Sequence, residues 1–497
     1  MNHSFILSID QGTSSTKSLI FDETGGAVAK GSEPLLTNYF DNGFVEQDPE
    51  EIYQNVLVSV RKCLLQFTGK GFDAKDIAGI GISNQRETFV VWNKEGMPLH
   101  NAVVWQCKRS THVCAQLKQK GLSAIIQQKT GLVIDPYFSA TKLIWLFQND
   151  TTIKEAVQNG NAYFGTIDTW LLYKFTNGTE YATDHTNASR TLFFNLYSLQ
   201  WDQELIATYG LTGIHLPEIK PSCSSFGETV LEGLFKTPVP ITALVGDSHA
   251  AAFGEGCFEA GTAKATLGTG CSILMNIGDK PVQTTNGMVT TICWSMDDRI
   301  DYALEGVIVS CGATIEWLKN ELNLFKESGE TEAMAKAVAD NGGVYLVPAF
   351  SGLGSPHWQM DRRASITGMS FGTTKNHIVR AALESIPYQI MDIIVAMEKD
   401  AGLFLKILHT DGGMTANRFI MQFIADLLNK TVGGIGMPDV SALGAAYLAG
   451  LHVGVYKNLD QLTRLNTGKN NYQPSGNNNK IGSYYTEWKA RISGSQI

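Results

Sequence analysis

Phe5-Ile6-Leu7-Ser8-Ile9 runs straight into Asp10-Gln11-Gly12-Thr13-Ser14-Ser15-Thr16-Lys17, and a second apolar run, Leu19 to Phe21, follows before Gly25-Gly26 interrupts it. Two apolar runs joined by a short Gly- and hydroxyl-rich segment predict a β-hairpin whose tip offers backbone N–H groups and Ser/Thr hydroxyls. Asp10 opens that tip and Lys17 closes it. Such a turn suits a polyphosphate. Its donors cradle the oxygens, a lysine adds charge, and an aspartate can hold a water of a bound magnesium.

Working outward, the same signal returns near the middle of the chain and again beyond it. Ile241-Thr242-Ala243-Leu244-Val245-Gly246-Asp247 is an apolar strand ending in Gly-Asp. It delivers Asp247 to its carboxyl end, where α/β folds put their ligands. The run Ala263 to Asn276 then contains Leu267-Gly268-Thr269-Gly270, a second Gly/Thr turn between apolar segments. A third Gly-rich element, Thr410-Asp411-Gly412-Gly413-Met414-Thr415-Ala416-Asn417-Arg418-Phe419, follows the apolar run Leu405 to Leu408. A double-glycine turn entering a helix N-terminus lets backbone approach a flat or anionic ligand closely. The chain has no Walker A lysine motif and no Gly-x-Gly-x-x-Gly opening a helix, so a nucleotide site here is of the split, two-domain kind.

With 497 residues, the chain exceeds what one hydrophobic core supports, and two large domains are expected. The boundary falls near residues 250–255, giving domains over 1–252 and 253–497. Strand-like runs at Ile77 to Ile82 and Gly343 to Val347 alternate with amphipathic helical stretches at Glu51 to Leu65, Lys375 to Lys399 and Arg418 to Leu428, an α/β pattern. The Asn- and Gly-rich segment Asn466 to Lys480 reads as an exposed loop before a last short helix at Tyr484 to Ile492. The net charge of −9 with no dense Lys/Arg cluster argues against nucleic acid as a partner. Met1-Asn2-His3-Ser4 lacks the basic and apolar regions of a signal peptide, so none is expected, and no uncharged apolar run is long enough to cross a bilayer. The eight cysteines are scattered, without zinc spacing, so a reduced, cytoplasmic protein is expected.

Several further segments carry a family resemblance. They include Ile82-Ser83-Asn84-Gln85-Arg86-Glu87-Thr88, Asn101-Ala102-Val103-Val104-Trp105-Gln106-Cys107 and Thr130-Gly131-Leu132-Val133-Ile134-Asp135-Pro136-Tyr137-Phe138. Others are Thr186-Asn187-Ala188-Ser189-Arg190, Ala303-Leu304-Glu305-Gly306 and Ala442-Leu443-Gly444-Ala445-Ala446-Tyr447-Leu448-Ala449-Gly450. Almost end to end, the chain resembles the FGGY carbohydrate kinases, and among them the glycerol kinases. The resemblance implies an α/β, two-domain actin-like ATPase (ribonuclease H-like) fold with an interdomain cleft, and a homodimer or homotetramer. It implies ATP-dependent phosphorylation of a primary hydroxyl of a small polyol, with ATP and Mg2+ as cofactors.

Residue by residue, the resemblance makes Asp247 the general base and assigns the polyol to Arg86, Glu87, Trp105 and Tyr137. Arg86 and Glu87 offer a donor fork and an acceptor to adjacent hydroxyls, while two aromatic rings cover the carbon skeleton. Thr13, Ser14 and Lys17 are expected at the phosphates, with Thr269 on the second turn and Gly312 nearby. Glu316, Gly413 and Asn417 are expected around the adenine and ribose, and Asp10 and Asp247 to face each other and hold magnesium, mostly through water.

Three departures bear on ligands. Glycerol kinases usually follow the catalytic aspartate with Gln-Gln and place a Phe after the Gly-Thr-Gly-Cys turn; here these are Ser248-His249 and Ser272. Both family residues contact the substrate, so the two serines are expected to widen the pocket. Lys17 stands where glycerol kinases carry Arg, as in sugar kinases of the family. A larger polyol or ketose, of erythritol, xylulose or ribulose type, is therefore the alternative substrate. A catalytically weak actin-like nucleotide sensor is the alternative of another class.

Overall fold

The computed structural model describes residues 4–359, 361–466 and 471–493. Its first two strands, Phe5–Gln11 and Ser15–Phe21, form the expected hairpin, with a register that sets Asp10 opposite Lys17 and Gln11 opposite Thr16. Gly12 closes the tip by donating its N–H to Ser15 O at 3.0 Å. Ala27–Pro34 extends the sheet antiparallel on one side, while Ile77–Asn84 and then Val239–Gly246 join parallel on the other. The register places Asp10 beside Ser83, and Gly246 beside Asn84. Asp10 and Asp247 thus emerge at the same sheet edge, separated by one intervening strand.

The second half repeats the arrangement. Thr262–Leu267 pairs antiparallel with Cys271–Gly278, which pairs antiparallel with Arg299–Ile308. Ile407–Asp411 and Thr431–Gly433 join parallel on the other side, in a register that sets Thr266 opposite Asp411. Each Gly/Thr turn is therefore the tip of a hairpin whose first strand also heads a parallel set. The two sheets aim their carboxyl ends and tips at one cleft. A third sheet in the N-terminal half, built on Phe89–Trp92 and Ala162–Thr166, carries the segments around Trp105 and Tyr137.

Two helices of small residues join the halves. Asp247–Gly254 starts directly from the strand that ends at Gly246, and Val440–His452 lies against it. A Cβ on Gly444 would sit 1.8 Å from Ala250 O, and one on Gly81 would sit 2.3 Å from Ala445 O. The Ala442 to Gly450 segment is thus small because backbone meets backbone there. Val440–His452 follows the C-terminal sheet in sequence yet packs on the N-terminal one, which brings Ser441 to the cleft.

The expected helices are present as Pro49–Gly69, Lys375–Ala401 and Arg418–Leu428. The chain's last helix differs. It runs Asn478–Ile492, beginning six residues before the expected Tyr484. Asparagines are weak helix formers, but Ile481, Trp488 and Ile492 share one buried face against Tyr388, Phe423 and Leu427, and that packing overrides propensity. Of the segment taken as an exposed loop, Asn466 instead donates Nδ2 to Gly254 O at 2.7 Å, and residues 467–470 lie outside the described residues. All eight cysteines are free and buried. Among the described residues no helix is long and apolar enough to cross a membrane.

Candidate active site

A cleft of about 740 Å³ lies between the two hairpin tips. Of the residues expected from sequence, Thr13, Ser14, Arg86, Trp105, Tyr137, Asp247, Ser248, Thr269 and Ser272 line it. Asp247 opens its helix with the side chain 40% exposed, free to meet a ligand. Its Oδ1 accepts the Ser248 backbone N–H at 2.6 Å and lies 3.3 Å from Arg86 Nε. Trp105 stands edge-on to Tyr137 at 5.5 Å between centroids, and its indole Nε1 donates to Thr13 Oγ1 at 2.9 Å. The aromatic wall and the first hairpin tip are thereby fixed to each other.

Beside this wall lies a buried set of charges, of which Arg86, Arg190 and Glu305 reach the cleft and Glu87 does not. Arg86 Nη2 donates to Glu305 Oε1 at 2.7 Å, and Arg190 Nε donates to Glu87 Oε1 at 2.6 Å. Arg190 Nη1 sits 2.6 Å from Glu305 Oε2, an ion contact without hydrogen-bond alignment. Burial alone would raise the Glu305 carboxyl, but the guanidinium of Arg190, then that of Arg86, hold it well below the usual carboxylate range. Two arginines and two glutamates cancel in charge, which makes their burial tolerable. Glu87 is 1% exposed and behind the cleft wall, committed to Arg190. Its backbone is left-handed, φ 61°, the kind of strain that persists where surrounding contacts over-determine a site.

At the first hairpin tip, burial pushes the Asp10 carboxyl up to about 6, with Lys17 pulling it down and Asp247 pushing it further up. The Asp247 effect places the two carboxylates in one field, as their strand positions require. Lys17 donates Nζ to Asp439 Oδ1 at 3.0 Å, and Lys30 Nζ contacts Asp439 Oδ2 at 2.5 Å. At the second tip, Gly312 N donates to Gly268 O and Cys311 N to Thr269 O, each at 2.9 Å, so this turn is stitched to the start of the helix Gly312–Asn320. A Cβ on Gly312 would meet Gly268 O at 2.7 Å. Glu316 is exposed and accepts from Ser328 Oγ at 3.0 Å, while Asn417 caps the helix Arg418–Leu428 and donates Nδ2 to Thr331 Oγ1 at 3.1 Å. Asp10, Lys17, Glu87, Gly312, Glu316, Gly413 and Asn417 stand outside the cleft's immediate wall.

Two family models cover nearly the whole chain: the FGGY family of carbohydrate kinases, N-terminal domain, over residues 5–254, and the C-terminal domain over residues 263–453. The chain belongs to the FGGY family of carbohydrate kinases. It is 43% identical to glycerol kinase 2 of Thermotoga maritima over 98% of each chain, and 44% identical to the glycerol kinase of Brevibacillus brevis over 99% of this chain and 98% of that one. The fold matches the crystal structure of Plasmodium falciparum glycerol kinase with ADP at TM-score 0.94 and 37% identity, over 100% of this chain and 99% of that one. This FGGY kinase therefore has the two-domain actin-like fold and is an ATP-dependent kinase.

Sequence reasoning gave no role to Arg190, Glu305, Lys264 or Asp439 of this kinase. Arg190 and Glu305 lay inside segments quoted for the resemblance, but nothing in one sequence says that they meet. Lys264 had a usable signal: it is a charged residue within the otherwise uncharged strand Thr262–Leu267, on the same face as Thr266 by the two-residue period. It is 1% exposed, lines the cleft and donates Nζ to Ser248 Oγ at 2.9 Å. His249 is fully buried, with neither ring nitrogen hydrogen-bonded among the described residues, and burial drives its pKa well below the usual value. It is a packed histidine beside Arg86.

Proposed function

We propose that this FGGY kinase transfers the γ-phosphoryl group of ATP to a primary hydroxyl of glycerol, giving glycerol 3-phosphate and ADP. The observation that carries the reading is the Arg86–Asp247 pair, at 3.3 Å, in a cleft bounded by both Gly/Thr hairpin tips. The glycerol kinases at 43–44% identity over nearly the full chain support the choice of polyol.

In this reading Asp247 accepts the proton of the attacking hydroxyl as its oxygen bonds to the γ-phosphorus. The bond from phosphorus to the β–γ bridging oxygen breaks, and ADP leaves with that electron pair. Arg86 donates to the polyol, and Trp105 and Tyr137 cover its carbon face. Thr13, Ser14 and Thr269 donate to phosphate oxygens, Lys17 adds a positive charge at the first tip, and Gly413 and Asn417 border the base and ribose.

Two carboxylates, Asp10 and Asp247, fit a hydrated Mg2+, which is ordinarily held by one or two carboxylates together with substrate phosphates. When bound, the ion would neutralise negative charge on the phosphates. Residues 1–252 would supply the polyol and the base, and residues 253–497 most of the nucleotide site.

Asp247→Asn tests the assignment. Loss of turnover with ATP binding retained supports it, and unchanged turnover contradicts it. A second reading, phosphorylation of a four- or five-carbon polyol, is favoured by one feature: Ser248 and Ser272 stand in the cleft wall, short side chains where glycerol kinases place a Gln and a Phe.

A further inference from the structure

Lys264, Ser248, Ser272 and Glu305 form a continuous chain along the wall of the cleft. Lys264 Nζ lies 2.9 Å from Ser248 Oγ, Ser248 Oγ lies 3.3 Å from Ser272 Oγ, and Ser272 Oγ lies 3.0 Å from Glu305 Oε1. All four residues line the cavity. No carboxylate lies within 4.0 Å of Lys264 Nζ among the described residues, so Ser248 is its hydrogen-bonded partner there.

The two ends decide the direction of the chain. A charged lysine has three donors and no acceptor, and an ionised carboxylate only accepts. Arg190 and Arg86 keep Glu305 ionised against its burial. Ser248 therefore accepts from Lys264 and must turn its O–H toward Ser272. Ser272 accepts from Ser248 and gives its O–H to Glu305. Each serine has used its one proton, and each keeps one oxygen lone pair uncommitted. The two serine oxygens thus face the cleft as acceptors only.

Resting on the polyol-kinase reading above, we propose that Lys264 and Glu305 are positioning residues that orient Ser248 and Ser272 as a paired acceptor for one substrate hydroxyl, and that this pair is the kinase's specificity element for the polyol. A ligand hydroxyl donated to the pair is stabilised. An analogue lacking that hydroxyl leaves buried lone pairs unmet, the situation that gives hydroxyl-reading sites their discrimination. Lys264 acts through Ser248 and need not touch the substrate.

The test measures kcat/KM, with MgATP, for whichever of glycerol, erythritol and ribitol is turned over fastest. It also measures each monodeoxy analogue that keeps the phosphorylated primary hydroxyl; for glycerol these are propane-1,2-diol and propane-1,3-diol. The wild-type enzyme is expected to discriminate against one analogue by about 100-fold or more. Lys264→Met and Ser272→Ala are each expected to cut that preference at least 10-fold by raising KM for the parent polyol. They should leave KM for ATP and turnover of the already deficient analogue within about 3-fold. Ser272→Thr, which keeps the hydroxyl, is expected to retain the preference.

Equal losses for parent and analogues would mean a merely structural role and overturn the proposal, as would unchanged preference in Ser272→Ala. Should Lys264→Met fail to fold, Ser272→Ala and Ser272→Thr decide alone. No turnover of any polyol by the wild-type enzyme would overturn the polyol-kinase reading itself, and this proposal with it. Turnover with undiminished discrimination in the variants would overturn this proposal only.

Discussion

Arg86 Nε lies 3.3 Å from Asp247 Oδ1, while Nη2 of the same guanidinium donates to Glu305 Oε1 at 2.7 Å. One arginine thus ties the exposed candidate base to a fully buried anion across the two halves of the chain. The base is held at the head of its helix without being covered. Asp247→Asn keeps the shape and removes the proton acceptor. A fall in kcat of about 10²- to 10⁴-fold is expected, the usual worth of a positioned base. Calorimetric titration should find ATP affinity changed by less than about 10-fold.

Glu305 pairs with both Arg86 and Arg190, so its loss would leave two guanidiniums with Glu87 as the one fully buried carboxylate among them. Glu305→Gln is expected to destabilise the fold by about 3–5 kcal/mol, the cost typical of removing one partner from a buried ion pair. Urea unfolding followed by tryptophan fluorescence measures this. A change under 1 kcal/mol would show that Arg86 and Arg190 find other partners or water.

Lys17, proposed to meet the phosphates, pairs with Asp439, which also holds Lys30. The side chain is a third exposed and sits at the hairpin tip, so it is available to a phosphate without being freed from burial. Lys17→Met is expected to raise KM for MgATP about 10- to 100-fold and to leave KM for the polyol within about 3-fold. Initial-rate kinetics varying each substrate in turn would separate the two.

Asp168, which does not line the cleft, carries a pH signature. Burial, reinforced by Asp184, pushes its carboxyl up to about 7, while Thr183 donates to its Oδ2 at 2.7 Å. A carboxyl with a raised pKa binds its proton more tightly in the folded state. Its contribution to stability is therefore complete below about pH 4 and is lost as the pH rises through about 7. Asp168→Asn should raise Tm relative to wild type at pH 8 and give no such gain at pH 5, read by thermal scans in matched buffers. A gain that is the same at both values would show that Asp168 does not titrate in this window.

The hairpin with Asp10 and Lys17 at its tip, and the strand that delivers Asp247, were legible because apolar runs broken by Gly and Thr have a short-range signature. So was the long helix, expected over Lys375 to Lys399 and found over Lys375–Ala401, where Gly402 in the left-handed conformation ends it. What escaped was long-range. Arg190 reaches Glu87 over 103 positions of sequence, and Lys17 reaches Asp439 over 422. No periodicity or spacing encodes such pairs. The serines at 248 and 272 were legible as departures from a family pattern, and a wider pocket was expected from them. The structure adds that Lys264 approaches Ser248 from the neighbouring strand, so that wall is polar and bonded. The start of the last helix at Asn478 was missed because its asparagines read as loop, while the burial that makes them helical comes from Tyr388 and Phe423.

Phosphoryl transfer from ATP to a small polyol, with Asp247 as base, makes one phosphomonoester for each ADP. The most direct measurement is 31P NMR of the enzyme with MgATP and glycerol, alongside erythritol, ribitol and xylulose. With glycerol, one new phosphomonoester resonance, that of glycerol 3-phosphate, is expected for each ADP formed, and with Asp247→Asn the same resonance is expected to grow about 10²- to 10⁴-fold more slowly. ATP left intact with every polyol, or converted to inorganic phosphate at a rate the polyols do not change, would contradict that reaction.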